Sequence, residues 1–248
     1  MTDSKSQQYI YGIHPVMEAL RAGKEPEVIY MQTGLRSAGF QDLLKLIGEK
    51  KILIKYVPIQ KLNQITRSNH QGVIAGMSVV ENQPIEEIIT EVFERGEMPL
   101  IIVLDRITDT RNMGAVARTA ESAGAHAIVV PQAGSAQINA DTVKTSAGAL
   151  NFIPVCKVKN LTDTLLYMKN SGIQIVASTE KAKKYYYETD FNVPSAILMG
   201  SEETGISPHL FKLCDAEVKI PMLGKTGSLN VSVAAAILIY EAVRQRKS

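Results

Sequence analysis

Between residues 100 and 220 six short apolar runs recur: LIIVLD, HAIVVP, PVCKV, IQIVAS, AILMG and AEVKIP. Helical periodicity fills the gaps at Met113 to Ala123, Leu161 to Asn170 and Ser207 to Cys214, and this alternation restricts the fold more than any other feature. LIIVLD is apolar without interruption up to Asp105, as strands buried on both faces are. Strands alternating with helices need crossover connections, so the pattern predicts an α/β unit with a mostly parallel sheet covered on both faces. Ligands of such sheets gather beyond the carboxyl ends of the strands. The loops after Asp105, Met199 and Ile220 are therefore the places to look for chemistry.

The N-terminal part has its own rhythm. A short strand and helix at IYGIHPVMEALRAG, a strand at EVIYMQ and a helix from Phe40 to Lys50 follow one another, Leu43, Leu44 and Ile47 sharing one helix face. A strand from Ile52 to Val57, a helix opening at Pro58 and a strand from Gly72 to Val79 complete a small α/β domain over residues 1–79. Lys50, Lys51, Lys55, Lys61 and Arg67 scatter positive charge over it. Asn82, Gln83 and Pro84 then break the pattern, and IEEIITEVFERG reads as an acidic helix closed by Gly96. Residues 80–98 thus read as a linker, and residues 99–248 as a second domain.

The net charge of +2 permits a nucleic-acid partner without demanding one, so any RNA surface must be local. Cys156 and Cys214 lack a CxxC partner or a nearby His, which suits reduced thiols in a cytoplasmic protein. The polar start MTDSKSQQ has no signal-peptide core, and the apolar run from Val233 to Tyr240 is too short to span a bilayer. No membrane association is expected.

The first loop, DRITDTRNMGAVARTAESAG, carries Arg106, Arg111, Asn112 and Arg118. Gly114, Ala115, Ala117, Ala120 and Ala123 would let another backbone come close, making Arg118 a projection into a tight site. The alternative is a solvated arginine paired with Glu121 or Glu94. In the second loop, ILMGSEETGIS, Gly200 at a strand end suggests close approach of a ligand to backbone. The adjacent Glu202 and Glu203 have no clustered Asp or His, so no metal is expected.

In the third, IPMLGKTGSLNVSVAAAILIYEA, Ser228 and Asn230 stand where a helix begins. They can cap its free N–H groups or face an anionic ligand. Val231 to Tyr240 is apolar on nearly every side, which predicts burial in a core or against a partner chain. The tempting GKT at Gly224 is no phosphate loop, because Lys219 occupies the position of its first glycine. Neither G-x-G-x-x-G nor a G-x-S-x-G elbow occurs in these loops, and His14, His70, His126 and His209 lie outside them.

The N-x-G-x-x-x-R run from Asn112 to Arg118, the GSEETG turn and the IPM…SLNVSVAAAI run resemble the three motifs of the SpoU family of RNA ribose methyltransferases, within the SPOUT class. The first domain, with YGIHPVMEAL and HQGVIA, is similar to the small RNA-binding domain of members that modify large-subunit ribosomal RNA. The resemblance implies methyl transfer from S-adenosylmethionine to a ribose 2′-hydroxyl of ribosomal RNA, at a guanosine. Transfer RNA as substrate, or a non-catalytic ribosomal RNA binder, are the alternatives. It also implies a trefoil-knotted cofactor pocket and a homodimer whose interface adjoins the site. Carried over by position, Gly200, Ile220, Met222 and Leu229 hold the cofactor, and Asn112, Arg118, Glu202, Ser228 and Asn230 form the catalytic set. Arg118 is the member proposed to activate the hydroxyl, although a guanidinium is a donor only.

Lys181, Lys183 and Lys184 with Tyr185 to Tyr187 mix cations and stacking faces. The tract fits a single-stranded RNA surface or a lysine-guarded edge strand equally well.

Overall fold

The computed structural model describes residues 9–24, 26–35, 38–50, 52–77 and 82–247. It divides into two compact units, Met1–Val79 with Gln137–Ala140 and Val80–Ala136 with Asp141–Ser248. The expected boundary at Val79 and Val80, the residue Lys51 and the side chain of Lys50 lie outside the described residues.

The first unit is a four-stranded sheet of β1 (Tyr9–Tyr11), β2 (Pro26–Gln32), β3 (Ile54–Val57) and β4 (Val73–Met77), in the order β1-β4-β2-β3. β4 runs antiparallel to β1 and β2, and β3 joins β2 in parallel. Its helices are α1 (Ile13–Arg21), α2 (Ala38–Lys50) and α3 (Ile59–Ile65). Ile13, Val16, Met17 and Leu20 of α1 recur at helical spacing and form its buried stripe. They share a core with Phe40, Leu43 and Ile47 of α2 and with Ile29, Met31, Val73 and Ala75 of the sheet. β3 begins two residues later than the apolar pattern suggested, with Leu53 exposed ahead of it.

The second unit holds seven strands: β5 (Leu100–Leu104), β6 (Ala127–Pro131), β7 (Val155–Val158), β8 (Gln174–Ser178), β9 (Lys184–Tyr185), β10 (Ser195–Met199) and β11 (Ala216–Lys219). They are parallel throughout, in the order β7-β6-β5-β10-β8-β11-β9. Every residue of the adjacent β5 and β10 is buried, as uninterrupted apolar runs in a two-sided sheet require. Its helices are α4 (Ile85–Glu94), α5 (Thr110–Ser122), α6 (Ala140–Thr145), α7 (Leu161–Asn170), α8 (Pro208–Phe211) and α9 (Val231–Arg246).

One core layer joins Leu161, Leu165 and Met168 of α7 and Leu210 of α8 to Ile101, Val103, Ala127, Val129, Ala196 and Leu198 of the strands. Ile85, Ile88, Ile89 and Val92 of α4 complete the same cluster. Within the stretch read as a linker, the apolar stripe of α4 buries against the sheet, and Asn82 Oδ1 accepts the Lys157 N–H from β7 at 2.5 Å. α6 and the two-residue β9 were too short to register as patterns.

On α5 a methyl group at Gly114 would lie 2.8 Å from Thr145 Cβ and 3.0 Å from Ser146 N. The small-residue stripe therefore admits the chain's own segment at residues 145–146. α9 buries Val231, Ala235, Leu238, Ile239 and Ala242 but leaves Val233 and Tyr240 about half exposed and Ile237 partly so. The expectation of all-round burial is thus met on one face only, and residues 233, 237 and 240 line up as a second apolar stripe. The end of α9 is clasped by Arg246, whose guanidinium donates to the carbonyls of Met98, Pro99, Phe191 and Val193. Among the described residues no helix is long and apolar enough to cross a membrane.

Candidate functional site

Beyond the carboxyl ends of β8, β10 and β11 lies a cavity of ≈ 970 Å³. That is near the upper end of the roughly 300–1,000 Å³ usual for small-molecule sites. Its walls come from three loops: Ser178 to Lys181 after β8, Gly200 to Ile206 after β10, and Ile220, Met222 and Gly227 to Asn230 between β11 and α9. The sequence singled out the second and third loops. The one after β8 was marked only as a candidate RNA surface from Lys181 onward, and its place in the cavity wall follows from β8 lying between β10 and β11.

The second loop folds back on itself. Gly205 N–H donates to Ser201 O at 2.9 Å, and Thr204 N–H donates to Ser201 Oγ at 3.2 Å. A side chain at Gly200 would collide with the Gly205 carbonyl carbon and the Ile206 nitrogen. The glycine is needed for close backbone approach as expected, but the backbone that approaches is the loop's own return.

Asp105 and Arg106 tie the loop down from β5. Asp105, almost fully buried, accepts the Ser207 N–H at 2.7 Å, and the Arg106 guanidinium donates to both Asp105 oxygens and to Gly205 O. Arg106 adopts a left-handed backbone, φ 59, which a non-glycine residue holds only where its surroundings impose it. Neither residue belonged to the predicted site set; the acid ending an apolar strand was the available signal.

With the loop so placed, three predicted residues meet. Glu202 Oε1 accepts from Asn230 Nδ2 at 2.7 Å, from Val231 N at 3.2 Å and from Asn112 Nδ2 at 3.3 Å. Asn230 Nδ2 also donates to Asn112 Oδ1 at 3.0 Å, while its Oδ1 caps α9 by accepting the Ser232 N–H at 3.0 Å. The positive end of α9 thus already has an anion, the Glu202 carboxylate, stabilised by the helix dipole. This corrects the expectation of a shared cap: Asn230 caps α9 and Glu202 takes the first free N–H. Ser228 makes no hydrogen bond among the described residues and stands exposed in the cavity wall.

Gly200, Glu202, Ile220, Met222, Ser228, Leu229 and Asn230 all line the one cavity, and Asn112 is joined to it through Glu202 and Asn230. Arg118 is not among the lining residues. It is exposed on α5, and among the described residues neither Glu121 nor Glu94 nor any other group pairs with it. Both cysteines are free, and burial pushes each thiol up to about 12, which keeps them protonated and unreactive. Among the described residues no group of three or more His, Cys, Asp or Glu could hold a metal.

The model of the SpoU rRNA Methylase family matches residues 99–240. The chain belongs to that family. Residues 9–83 match a second model, RNA 2′-O ribose methyltransferase substrate binding. The 23S rRNA (guanosine-2′-O-)-methyltransferase RlmB of Vibrio parahaemolyticus is 37% identical over 247 residues, covering 97% of this chain and 98% of its own. YacO of Bacillus subtilis, provisionally named a TrmH family tRNA/rRNA methyltransferase, is 35% identical over 243 residues, 98% of each chain. Among solved structures, the SpoU methyltransferase AviRb of Streptomyces viridochromogenes in complex with AdoMet aligns with a TM-score of 0.61 at 26% identity, over 96% of this chain and 90% of that one. The chain is thus an RNA 2′-O-methyltransferase of the SpoU family.

Proposed function

We propose that this enzyme transfers the methyl group of S-adenosylmethionine to a ribose 2′-hydroxyl of large-subunit ribosomal RNA, at a guanosine. The observation that carries the proposal is the convergence of Asn112, Glu202 and Asn230 on the cavity walled by Gly200, Ile220, Met222 and Leu229. The apolar side chains of Ile220, Met222 and Leu229 suit the faces of an adenine, and backbone groups at Gly200, Ile220 and Leu229 suit its edge. The carboxylates of Glu180, Glu202, Glu203 and Glu217 outnumber Lys181 and Lys212 in the same walls, a balance that favours a cationic ligand. S-adenosylmethionine, when bound, supplies a sulfonium methyl already activated for displacement.

What remains for the protein is to hold the two reactants in line, an effect worth roughly 7–11 kcal/mol, while the proton of the 2′-hydroxyl passes to solvent water as the methyl is taken. In this proposal Arg118 serves that alignment: its guanidinium, a donor only, grips a phosphate beside the target and steers the hydroxyl. Glu202 and Asn230 fix the entrance of α9 against Asn112, and Ser228 contacts the ribose or its phosphate. Residues 1–79 serve as the RNA-binding domain and residues 99–248 as the knotted catalytic domain of a cytoplasmic homodimer. The stripe of Val233, Ile237 and Tyr240 on α9 supplies apolar surface for that dimer.

Relatives bearing RlmB and TrmH names leave two substrate classes, ribosomal and transfer RNA. Mapping ribose methylation in RNA from cells lacking the protein separates them. Loss at one large-subunit guanosine is the expected result, and loss confined to transfer RNA would replace the substrate. Failure to transfer tritiated methyl from S-adenosylmethionine to either RNA would leave only a binding role.

A further inference from the structure

The segment from Lys181 to Tyr187 starts at the cavity and leaves it. Glu180 and Lys181 are part of the wall, and the chain then runs out along β9, the edge strand paired in parallel with β11. Lys181, Lys183 and Lys184 are exposed, and none makes an ion pair among the described residues. The nearest downstream acid, Glu188, is engaged by the segment itself, its Oε2 accepting the Tyr185 N–H at 2.5 Å. The rings are ordered against one another. Tyr185 and Tyr187 stack at 5.4 Å with planes 15° apart, Tyr186 meets Tyr187 edge-on at 5.2 Å, and Lys219 Nζ sits 5.0 Å from the Tyr185 centroid. Tyr187, the ring that meets both of the others, is half exposed.

An edge guard explains Lys184 on β9 but not a half-exposed ring stacked beside it, and a two-residue strand offers little edge to protect. An acidic peptide would use the cations and leave the ring idle. Unpaired cations and a pre-ordered aromatic face, reached directly from the cavity, suit a strand that carries both phosphates and bases.

We propose that Lys181 to Tyr187 is the track for the single-stranded RNA flanking the target nucleotide, with its phosphates on Lys181, Lys183 and Lys184 and one unpaired base on Tyr187. This rests on the reading of the enzyme as an RNA ribose methyltransferase and adds where the substrate strand leaves the cavity.

The test is fluorescence anisotropy of the full chain with a labelled single-stranded oligoribonucleotide of about twelve nucleotides, titrated across a salt series. Lys183→Ala combined with Lys184→Ala should reduce the slope of log affinity against log salt by about 1.4, two phosphate contacts at about 0.7 each. Tyr187→Ala should weaken binding about tenfold, and Tyr187→Phe should restore it, because stacking needs the ring and not the hydroxyl. An unchanged slope with new self-association in sedimentation would identify an edge guard and overturn the track. A reduced slope with Tyr187→Ala within about twofold of the parent would show an unspecific polyanion surface and overturn it equally. The same preparations are assayed for S-adenosylmethionine binding by calorimetry and for methyl transfer to ribosomal RNA. A parent protein without either activity would sink the methyltransferase reading, whereas an active parent whose variants bind RNA normally would sink the track alone.

Discussion

Replacing Gly200 by alanine tests the site at its narrowest point. The added methyl would collide with the Gly205 carbonyl carbon and the Ile206 nitrogen and lie 2.6 Å from Gly205 O. These are backbone atoms and cannot rotate aside, so the loop has to open by on the order of 1 Å, at the 1–3 kcal/mol typical of overpacking. That displacement falls between Met199, fixed in β10, and Ser207, fixed by its 2.7 Å bond to Asp105. It therefore moves Glu202 and strains its bonds to Asn112, Asn230 and Val231. A misplacement of about 1 Å lowers kcat/KM by about 100-fold. Two further variants set the scale. Gly227→Ala, also in the cavity wall, meets nothing within 4 Å and should stay within about 0.5 kcal/mol of the parent. Gly205→Ala meets no atom either but must hold φ 65, a cost of about 1–2 kcal/mol. Urea unfolding, calorimetric titration with S-adenosylmethionine and methyl-transfer kinetics should rank the three Gly227, Gly205, Gly200 in increasing damage. A Gly200→Ala protein with parental stability and parental cofactor affinity would refute the close-approach reasoning.

Arg118→Ala should abolish turnover while leaving S-adenosylmethionine affinity nearly intact, because the side chain lies outside the cavity wall; parental activity would remove Arg118 from the catalytic set. Arg246→Ala frees four carbonyls from charge-assisted bonds of 2.7 to 2.9 Å and should lower stability by about 3 kcal/mol, read as a shifted urea midpoint with an unchanged slope. The bond from Arg244, followed by that from Gln245, holds the Glu241 carboxyl below its ordinary 4.5 against the opposing effect of burial. Its contribution to stability is therefore complete above 4.5 and fades as pH falls through the lower folded-state value. Glu241→Gln should flatten the acid limb of a urea-midpoint profile taken from about pH 6 to about pH 3, and an identical limb would assign the loss to other carboxyls.

The alternation of apolar runs and helical periods located β5, β6, β7, β8, β10 and β11, and α7 spans the residues its pattern indicated. Such signals are local: each strand carries its own two-sided apolarity and each helix its own stripe. Local signals also flagged residues of the candidate site, because Asn112, Gly200, Glu202, Ser228 and Asn230 break apolar patterns at element ends. Packing was less legible. The acidic surface of α4 suggested a linker, and only a sheet to cover explains Ile85, Ile88, Ile89 and Val92. Ser228 and Asn230 looked equivalent as caps, and the arrival of Glu202 at α9 decided between them.

Sequence alone therefore determined most of the elements, though not α6 or β9, together with the parallel α/β class and the residues on which to wager. Tertiary structure decided the strand order β7-β6-β5-β10-β8-β11-β9 and with it the cavity. It also decided that Gly200 makes room for its own loop and that Asp105 and Arg106 hold that loop in place. The bonds of Glu202 and Asn230 to Asn112 join residues 90 and 118 positions apart. Propensity and periodicity act over a few residues; these contacts exist only because the sheet brings distant loops to one edge.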